Sequence, residues 1–296
     1  MTGWRVDNHG WAIDRRKPLS FTFDGRRVSG FQGDSVASAL IASGVSIVGR
    51  GFKYHRPRGF WSAGAEEPNG MADIHGAHHR PNVQMTVEAA RDDMVLRSIN
   101  GRPTAERDRS AFLDRFARFI PAAFYYKTFM FPDWHVFEPR IRAMAGLGVL
   151  DLQAKGFAAT APANTFCDVL IIGAGPAGLT AALAAAERGR KVIVCDDQPV
   201  AGGSLLYREG RIDGRNGRDW AAQTVARLRD LGTEVLTRTT AFGRYEHRLT
   251  GLAEDRGEGK APRLWRVRAA VTILASGAIE RGLPFANNDR PASCLL

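Results

Sequence analysis

Three glycines spaced G-x-G-x-x-G, Gly173, Gly175 and Gly178, are the residues of this chain whose type and spacing point most directly to chemistry. They follow a continuous apolar run, Val169 to Ile172, that reads as a buried parallel strand. The first glycine permits a tight turn and the second lets backbone approach a pyrophosphate. The third lets the following helix lie close against the strand. Pro176 and Ala177 open that helix, an alanine-rich stretch to about Arg188. Its first amides and its dipole would face phosphate charge. A second apolar strand, Val192 to Cys195, ends in Asp196, ~20 residues beyond the glycines, where a ribose-binding acid is expected. Asp197 is the alternative. Neighbours on a strand face opposite sides, so one of the two points at the ribose, and Asp196 is favoured because it terminates the apolar run. Gly202 and Gly203, followed by Ser204, would bring a second loop without side chains up to the phosphates; an ordinary turn is the competing reading.

Other catalytic patterns are missing. The chain has no G-x-S-x-G, no H-E-x-x-H and no activated cysteine context, so no catalytic residue is assigned and a bound cofactor must carry the chemistry. His75, His78 and His79 are close in sequence, but with no Cys, Asp or Glu recognised at ligand spacing they read as a solvated loop, and no metal is expected. Cys167, Cys195 and Cys294 are too few and too scattered for a disulfide framework or a metal-ligand cluster. The net charge of +10 comes from arginines dispersed among acids, with no nucleic-acid module, so nucleic acid is not the expected partner. No apolar stretch approaches the ~20 residues of a membrane span. The N-terminus lacks the apolar segment of a secretory signal, which makes cytoplasm the expected location.

The elements that must position these residues form an α/β chain of 296 residues. In residues 1–100, SFTFDGRRVSGF reads as two alternating strands about an Asp24–Gly25 turn. A helix from Ser35 to about Ser43 follows, capped by Asp34 and closed by Gly44. A long loop and strand-like pieces at Met71–Ile74 and Asn82–Val87 come next. That order is the order of a β-grasp domain of the ferredoxin type. Plant-type ferredoxins carry their cluster cysteines on that loop, whereas this chain has no cysteine before Cys167, so no iron–sulfur cluster is expected.

Residues 101–163 read as a helical and aromatic connector. Phe112, Phe116 and Phe119 recur at helical spacing in Ala111–Ile120 and read as core packing, with a docking face for a partner subunit as the alternative. FYYKTFMFPDWHVFE is too aromatic for a solvated linker, and Ala158–Thr165 reads as a flexible boundary. Residues 164–296 read as a dinucleotide-binding domain of Rossmann type, incomplete at its C-terminal end. It has a helix at Asp219–Leu231, extended pieces at Glu234–Thr240 and Arg263–Leu274, and a polar loop at Leu252–Pro262.

FKYHRPRG (Phe52–Gly59), GAEEPN (Gly64–Asn69), FYYKTFM (Phe124–Met130), CDVLIIGAGPAG, TTAFGRYEH (Thr239–His247) and WRVRAAVTILASGAIERGLPFANNDRP resemble, in order, the alpha subunit of heterotetrameric sarcosine oxidase. The resemblance implies a cysteine-free β-grasp domain and a dinucleotide-binding region holding NAD. It also implies a complex with beta, gamma and delta subunits that demethylates sarcosine to glycine, formaldehyde and hydrogen peroxide. In that family FAD lies in the beta subunit and FMN at the alpha–beta interface. Ala275, Ser276 and Gly277 stand where the family reads Ala-Thr-Gly; serine keeps the hydroxyl, so this strand-end loop joins the expected cofactor site. The family's later dinucleotide segment and aminomethyltransferase domain have no counterpart here, and RPASCLL departs from its pattern, so a truncated chain is expected. Two other readings stay open: an FAD-dependent pyridine-nucleotide oxidoreductase, because glycine motifs do not separate FAD from NAD, and a non-catalytic assembly fragment.

Overall fold

Asp24 and Gly25 both take left-handed backbone, with φ of 51° and 79°, so the turn they make twists in the sense its flanking strands need. In a computed structural model, which describes residues 4–7, 9–76, 79–120, 129–149, 152, 162–257, 260–279, 283, 285–288 and 290–291, this turn joins β1 (Asp14–Phe23) to β2 (Arg26–Gln32). The chain divides into two units, Met1–Lys155 with Ile279–Leu296, and Gly156–Ala278. The connector residues up to Lys155 and the last stretch of chain therefore group with the N-terminal unit.

In the first unit, α1 (Val36–Ala42) and a two-residue-per-strand hairpin, β3 (Gly49–Arg50) with β4 (Pro57–Arg58), precede β5 (Met71–His75), β6 (Arg80–Gln84) and β7 (Val95–Ser98). The main sheet has the order β2-β1-β7-β5-β6, with β1 and β7 parallel and the other pairs antiparallel. This is the β-grasp arrangement. β1 alternates, turning Leu19, Phe21 and Phe23 inward onto Val28, Val36, Leu40, Met85 and Leu96. Each such side chain contributes about 1.5–3 kcal/mol by leaving water.

Several expectations are corrected here. Ser35, not Asp34, caps α1: its hydroxyl accepts from the Ser38 amide at 3.1 Å. Asp34 sits one residue further out, where it is buried, accepts from the Phe31 amide and the Ser38 hydroxyl, and pairs with Arg5 at 2.8 Å. The second strand of the β5–β6 hairpin is Arg80–Gln84 and does not run to Val87, because the Thr86–Val87 stretch turns to bring Ala89 opposite Ser35. The aromatic stripe is a 3-10 helix, Arg109–Phe119, and Phe112, Phe116 and Phe119 are 59%, 51% and 65% exposed. At three residues per turn the spacing of four between Phe112 and Phe116 no longer stacks them on one buried face. In FYYKTFMFPDWHVFE, residues 124–128 lie outside the described residues, while Phe131 is 87% exposed and Met130 is also exposed. Its second half forms α2 (Trp134–Ala145), capped by Asp133 and stopped at Gly146, where φ is 70°.

The long loop between β3 and β5 has a polar interior that the sequence reading did not see. Glu67 is fully buried, and its carboxylate accepts from the amides of Trp61, Ser62, Asn69 and Gly70. Buried Arg50 donates to the carbonyls of His55, Ala105 and Glu106, and His55 Nδ1 lies 2.7 Å from Asp108 Oδ2. Arg56 pairs with Asp114 at 2.8 Å, and the Tyr54 hydroxyl donates to the Ile120 carbonyl. FKYHRPRG thus ties the loop to residues 108–120, and Arg50 to residues 105 and 106.

The second unit runs β8 (Ala163–Ile172), α3 (Pro176–Ala186), β9 (Val192–Cys195), the small hairpin β10 (Arg211–Ile212) and β11 (Arg215–Asn216), α4 (Gly217–Asp230), then β12 (Glu234–Leu236), β13 (Thr239–Arg244), β14 (Leu249–Glu254) and β15 (Arg263–Leu274). Its sheet has the order β12-β9-β8-β15-β14-β13, parallel from β12 to β15 and antiparallel beyond. One face packs on α3 and α4 through Ile171, Val194, Leu179, Trp220 and Leu228. The other carries a second core of Leu170, Ile193, Leu252, Trp265 and Val267.

The piece expected at Glu234–Thr240 is broken. Arg238 takes a φ of 51°, and β12 and β13 part to opposite edges of the sheet. The polar loop starts after Glu254, because Leu252 is buried in β14. Ala163–Thr165 belongs to β8, paired with Trp265–Val267, and is no linker; residues 158–161 lie outside the described residues. No helix among the described residues is long and apolar enough to cross a membrane.

Candidate dinucleotide-binding site

β8 ends at Ile172, and the chain must turn at once to start α3. Gly173 makes that turn with φ 105°, its amide donating to the Cys195 carbonyl at 2.8 Å. A Cβ at Gly173 would lie 2.3 Å from the Ala275 carbonyl oxygen, so no other residue fits. Gly175 is the N-cap of α3 and Pro176 its first residue, where a missing amide costs nothing. Ala177, which is exposed, and Gly178 follow in the first turn, whose amides have no acceptor within the helix. A Cβ on Gly178 would fall 1.9 Å from the Gly173 carbonyl oxygen; the bare glycine is what lets helix and strand touch.

The two glycine-rich loops meet. The Gly202 amide donates to the Ala174 carbonyl at 2.8 Å, and a Cβ on Gly203 would lie 2.9 Å from Gly175 Cα. Gly202 and Gly203 have φ of 142° and 53°. From Gly175 itself, a Cβ would meet nothing nearer than Gly203 Cα at 3.9 Å, so the space in front of the second glycine is clear of protein. Ser204, half-buried, follows in the 3-10 turn Gly203–Leu206. A clear, side-chain-free cradle at a helix N-terminus fits a pyrophosphate.

Asp196 is spent partly on the loop itself. Its Oδ2 accepts from the Ala174 amide at 2.6 Å and its Oδ1 from the Gln198 amide at 2.9 Å. Burial holds its carboxyl above the usual carboxylate range, against the pull of those two amides and with Asp197 adding to the rise. Each oxygen keeps a further lone-pair direction for a ribose hydroxyl. Asp197 is exposed and accepts from the Gln198 side chain at 3.1 Å. At the end of β15 the Ala275 amide donates to the Ile172 carbonyl at 2.7 Å, carrying the ladder past the strand end, and Ser276 and Gly277 are exposed beside the Gly173 turn. Cys195 and Cys167 are buried; burial pushes their thiols up to about 12 and about 11, so neither is a nucleophile at neutral pH.

Comparisons with known proteins agree with this division. Residues 16–101 match the family described as 2Fe-2S iron-sulfur cluster binding domain, and residues 168–231 match the FAD binding domain family. The first match holds no cysteine. The loop that thiolates would anchor to a cluster is anchored here by the Glu67 carboxylate. Anaerobically purified chain is therefore expected to contain neither iron nor acid-labile sulfide, and stoichiometric amounts of both would refute this.

Across 94% of its length the fold is similar to the L-proline dehydrogenase structure from P. horikoshii, with a TM-score of 0.60 at 20% identity, covering 44% of that chain. In sequence it is 43% identical over 98% of its length to the sarcosine oxidase subunit alpha of Rhizobium meliloti (strain 1021), and 33% identical over 97% to that of Corynebacterium sp. (strain U-96). It spans 31% and 26% of the length of those two relatives. From its β-grasp unit through its glycine cradle, the chain is similar to the sarcosine oxidase alpha subunits, whose sequences are longer.

Proposed function

We propose that this chain is the dinucleotide-holding portion of a cytoplasmic complex that oxidatively demethylates sarcosine to glycine, formaldehyde and hydrogen peroxide. The observation that carries the reading is the clear space in front of Gly175 at the start of α3, where the Gly202–Gly203 loop closes against it, with Asp196 bracing the loop behind it. In this reading the first-turn amides of α3 take the pyrophosphate of NAD, and Asp196 or the exposed Asp197 takes ribose hydroxyls. Amine oxidation would belong to FAD and oxygen reduction to FMN elsewhere in the assembly with beta, gamma and delta subunits, so the electrons balance without NAD, which this chain would hold. This chain binds and orients. Among the described residues no base is paired with a nucleophile, and both described thiols are held protonated.

A second reading places FAD in the same cradle. The match of residues 168–231 to an FAD binding domain favours it.

Calorimetric titration of the chain with NAD and with FAD, alongside its visible absorption spectrum, separates the two. Saturable NAD binding without a flavin band supports the first; a co-purifying flavin band supports the second. A peroxide-coupled assay with sarcosine is expected to show no turnover for the chain alone, even with FAD, FMN and NAD supplied. Turnover typical of an enzyme, on the order of 10 per second, would overturn the subunit reading.

A further inference from the structure

Asp73 and His75 alternate along β5 with the buried Ala72 and Ile74, so their side chains emerge together on the other face of the strand. His79 comes back to them across the hairpin, one residue before β6 begins. One donor atom from each of Asp73, His75 and His79 lies within 4.8 Å of the others. The two imidazole rings are 5.0 Å apart, and His79 Nε2 is 3.9 Å from Asp73 Oδ2.

Two details mark this as more than a chance meeting of polar groups. His79 Nε2 is shielded from water and has no hydrogen-bond partner, an orphan that a buried imidazole nitrogen does not ordinarily tolerate. Asp73 is also fixed in place. The ladder between β5 and β6 shifts register between Ala72 and Ile74. There Asn82, at φ 52°, turns its amide onto Asp73 Oδ1 at 2.9 Å. That leaves Oδ2 facing the histidines, the outer-shell bracing that metal-binding carboxylates receive elsewhere. The opposing charge is Arg97, whose Cα pairs with Asp73 across β7.

We infer that Asp73, His75 and His79 form a binding site for a borderline divalent transition metal, with zinc as its representative. Two imidazoles and one carboxylate suit zinc, nickel or copper and disfavour calcium and magnesium, which take oxygen. Zinc holds such donors at about 2.0–2.2 Å, which places them roughly 3.4 Å from one another in a tetrahedron. From 3.9–4.8 Å, side-chain rotation closes the gap by less than a bond length per donor, and water completes the shell. The metal would clip β5 to the start of β6. The sequence reading recognised no Cys, Asp or Glu at ligand spacing; Asp73 lies two residues before His75, on the same strand face.

The test is titration of the chelator-stripped, full 296-residue chain with zinc chloride by calorimetry, paired with thermal melts. One equivalent of zinc is expected to bind and to raise the melting temperature. His75→Ala and His79→Ala should each weaken binding about tenfold or more, while His247→Ala, on an exposed loop, leaves it unchanged. Asp73→Asn keeps an acceptor for the Asn82 amide and so preserves the hairpin while losing the charged ligand; it too should weaken binding, with melting in chelator matching the parent chain. Absence of saturable one-equivalent binding would overturn the site, as would an affinity unaltered in the His75→Ala, His79→Ala double variant.

Discussion

Gly175→Val is expected to abolish dinucleotide binding while leaving the melting temperature close to that of the parent chain. The backbone at Gly175 has φ −75° and ψ −176°, an extended conformation that valine adopts readily. A Cβ there meets no protein atom closer than 3.9 Å, so the backbone admits a side chain at this position without a clash at its first carbon. The pyrophosphate does not admit one, because the valine methyls would fill the space it needs beside the first turn of α3. A loss of about a hundredfold or more, roughly 2.8 kcal/mol, is expected for NAD and FAD alike, since both present the same pyrophosphate. Gly178→Ala should behave in the opposite way. Its Cβ would press within 1.9 Å of the Gly173 carbonyl oxygen, and separating helix from strand costs about 1–3 kcal/mol or more. Calorimetry and thermal melts on the two variants separate a ligand glycine from a packing glycine. Unchanged affinity of Gly175→Val for both dinucleotides would show that no pyrophosphate sits in front of Gly175.

The distinction between these two glycines was legible in the sequence because the motif encodes backbone geometry, which depends on a few local residues. The same holds for Val192–Cys195 and Arg263–Leu274, whose observed bounds are the expected ones: uninterrupted apolar or alternating runs leave a strand no other way to bury its side chains. Local pattern could not say where an extended run changes partners. Glu234–Thr240 reads as one strand, yet a single left-handed residue, Arg238, sends its two halves to opposite sheet edges. Nor could it foresee that the aromatic stripe would form a 3-10 helix with its phenylalanines in water. Helical spacing predicts a face, but burial depends on what lies opposite. Asp196 stands at the end of an apolar run, a position visible in sequence, but its two hydrogen bonds to the amides of Ala174 and Gln198 are tertiary facts with no sequence signature.

Glu67 shows the same limit more sharply, and its replacement should have the largest effect on the first unit. A glutamate inside a loop of glycines, prolines and charges reads as solvated, yet it is fully buried with four backbone amides on its two oxygens. Hydrogen bonds to an ionised acceptor are worth about 1.5–3 kcal/mol each, and amides left buried without a partner cost about 1–3 kcal/mol. Glu67→Ala is therefore expected to destabilise the unit by about 3–5 kcal/mol, the range for breaking a buried charged network, against a total of about 5–15 kcal/mol for a typical domain. Glu67→Gln should fall between, because its carbonyl oxygen still serves one pair of amides while its NH2 group confronts the other pair donor to donor. A chain of two units need not unfold in one step, so the readout is local: hydrogen exchange at the amides of Trp61, Ser62, Asn69 and Gly70. These should be protected in the parent chain and exchange at least a hundredfold faster in Glu67→Ala, roughly 2.8 kcal/mol, with the amides of α3 and β9 unaffected. Equal exchange in parent and variant would mean that the loop is held by its packing on the sheet and that the carboxylate only fills space.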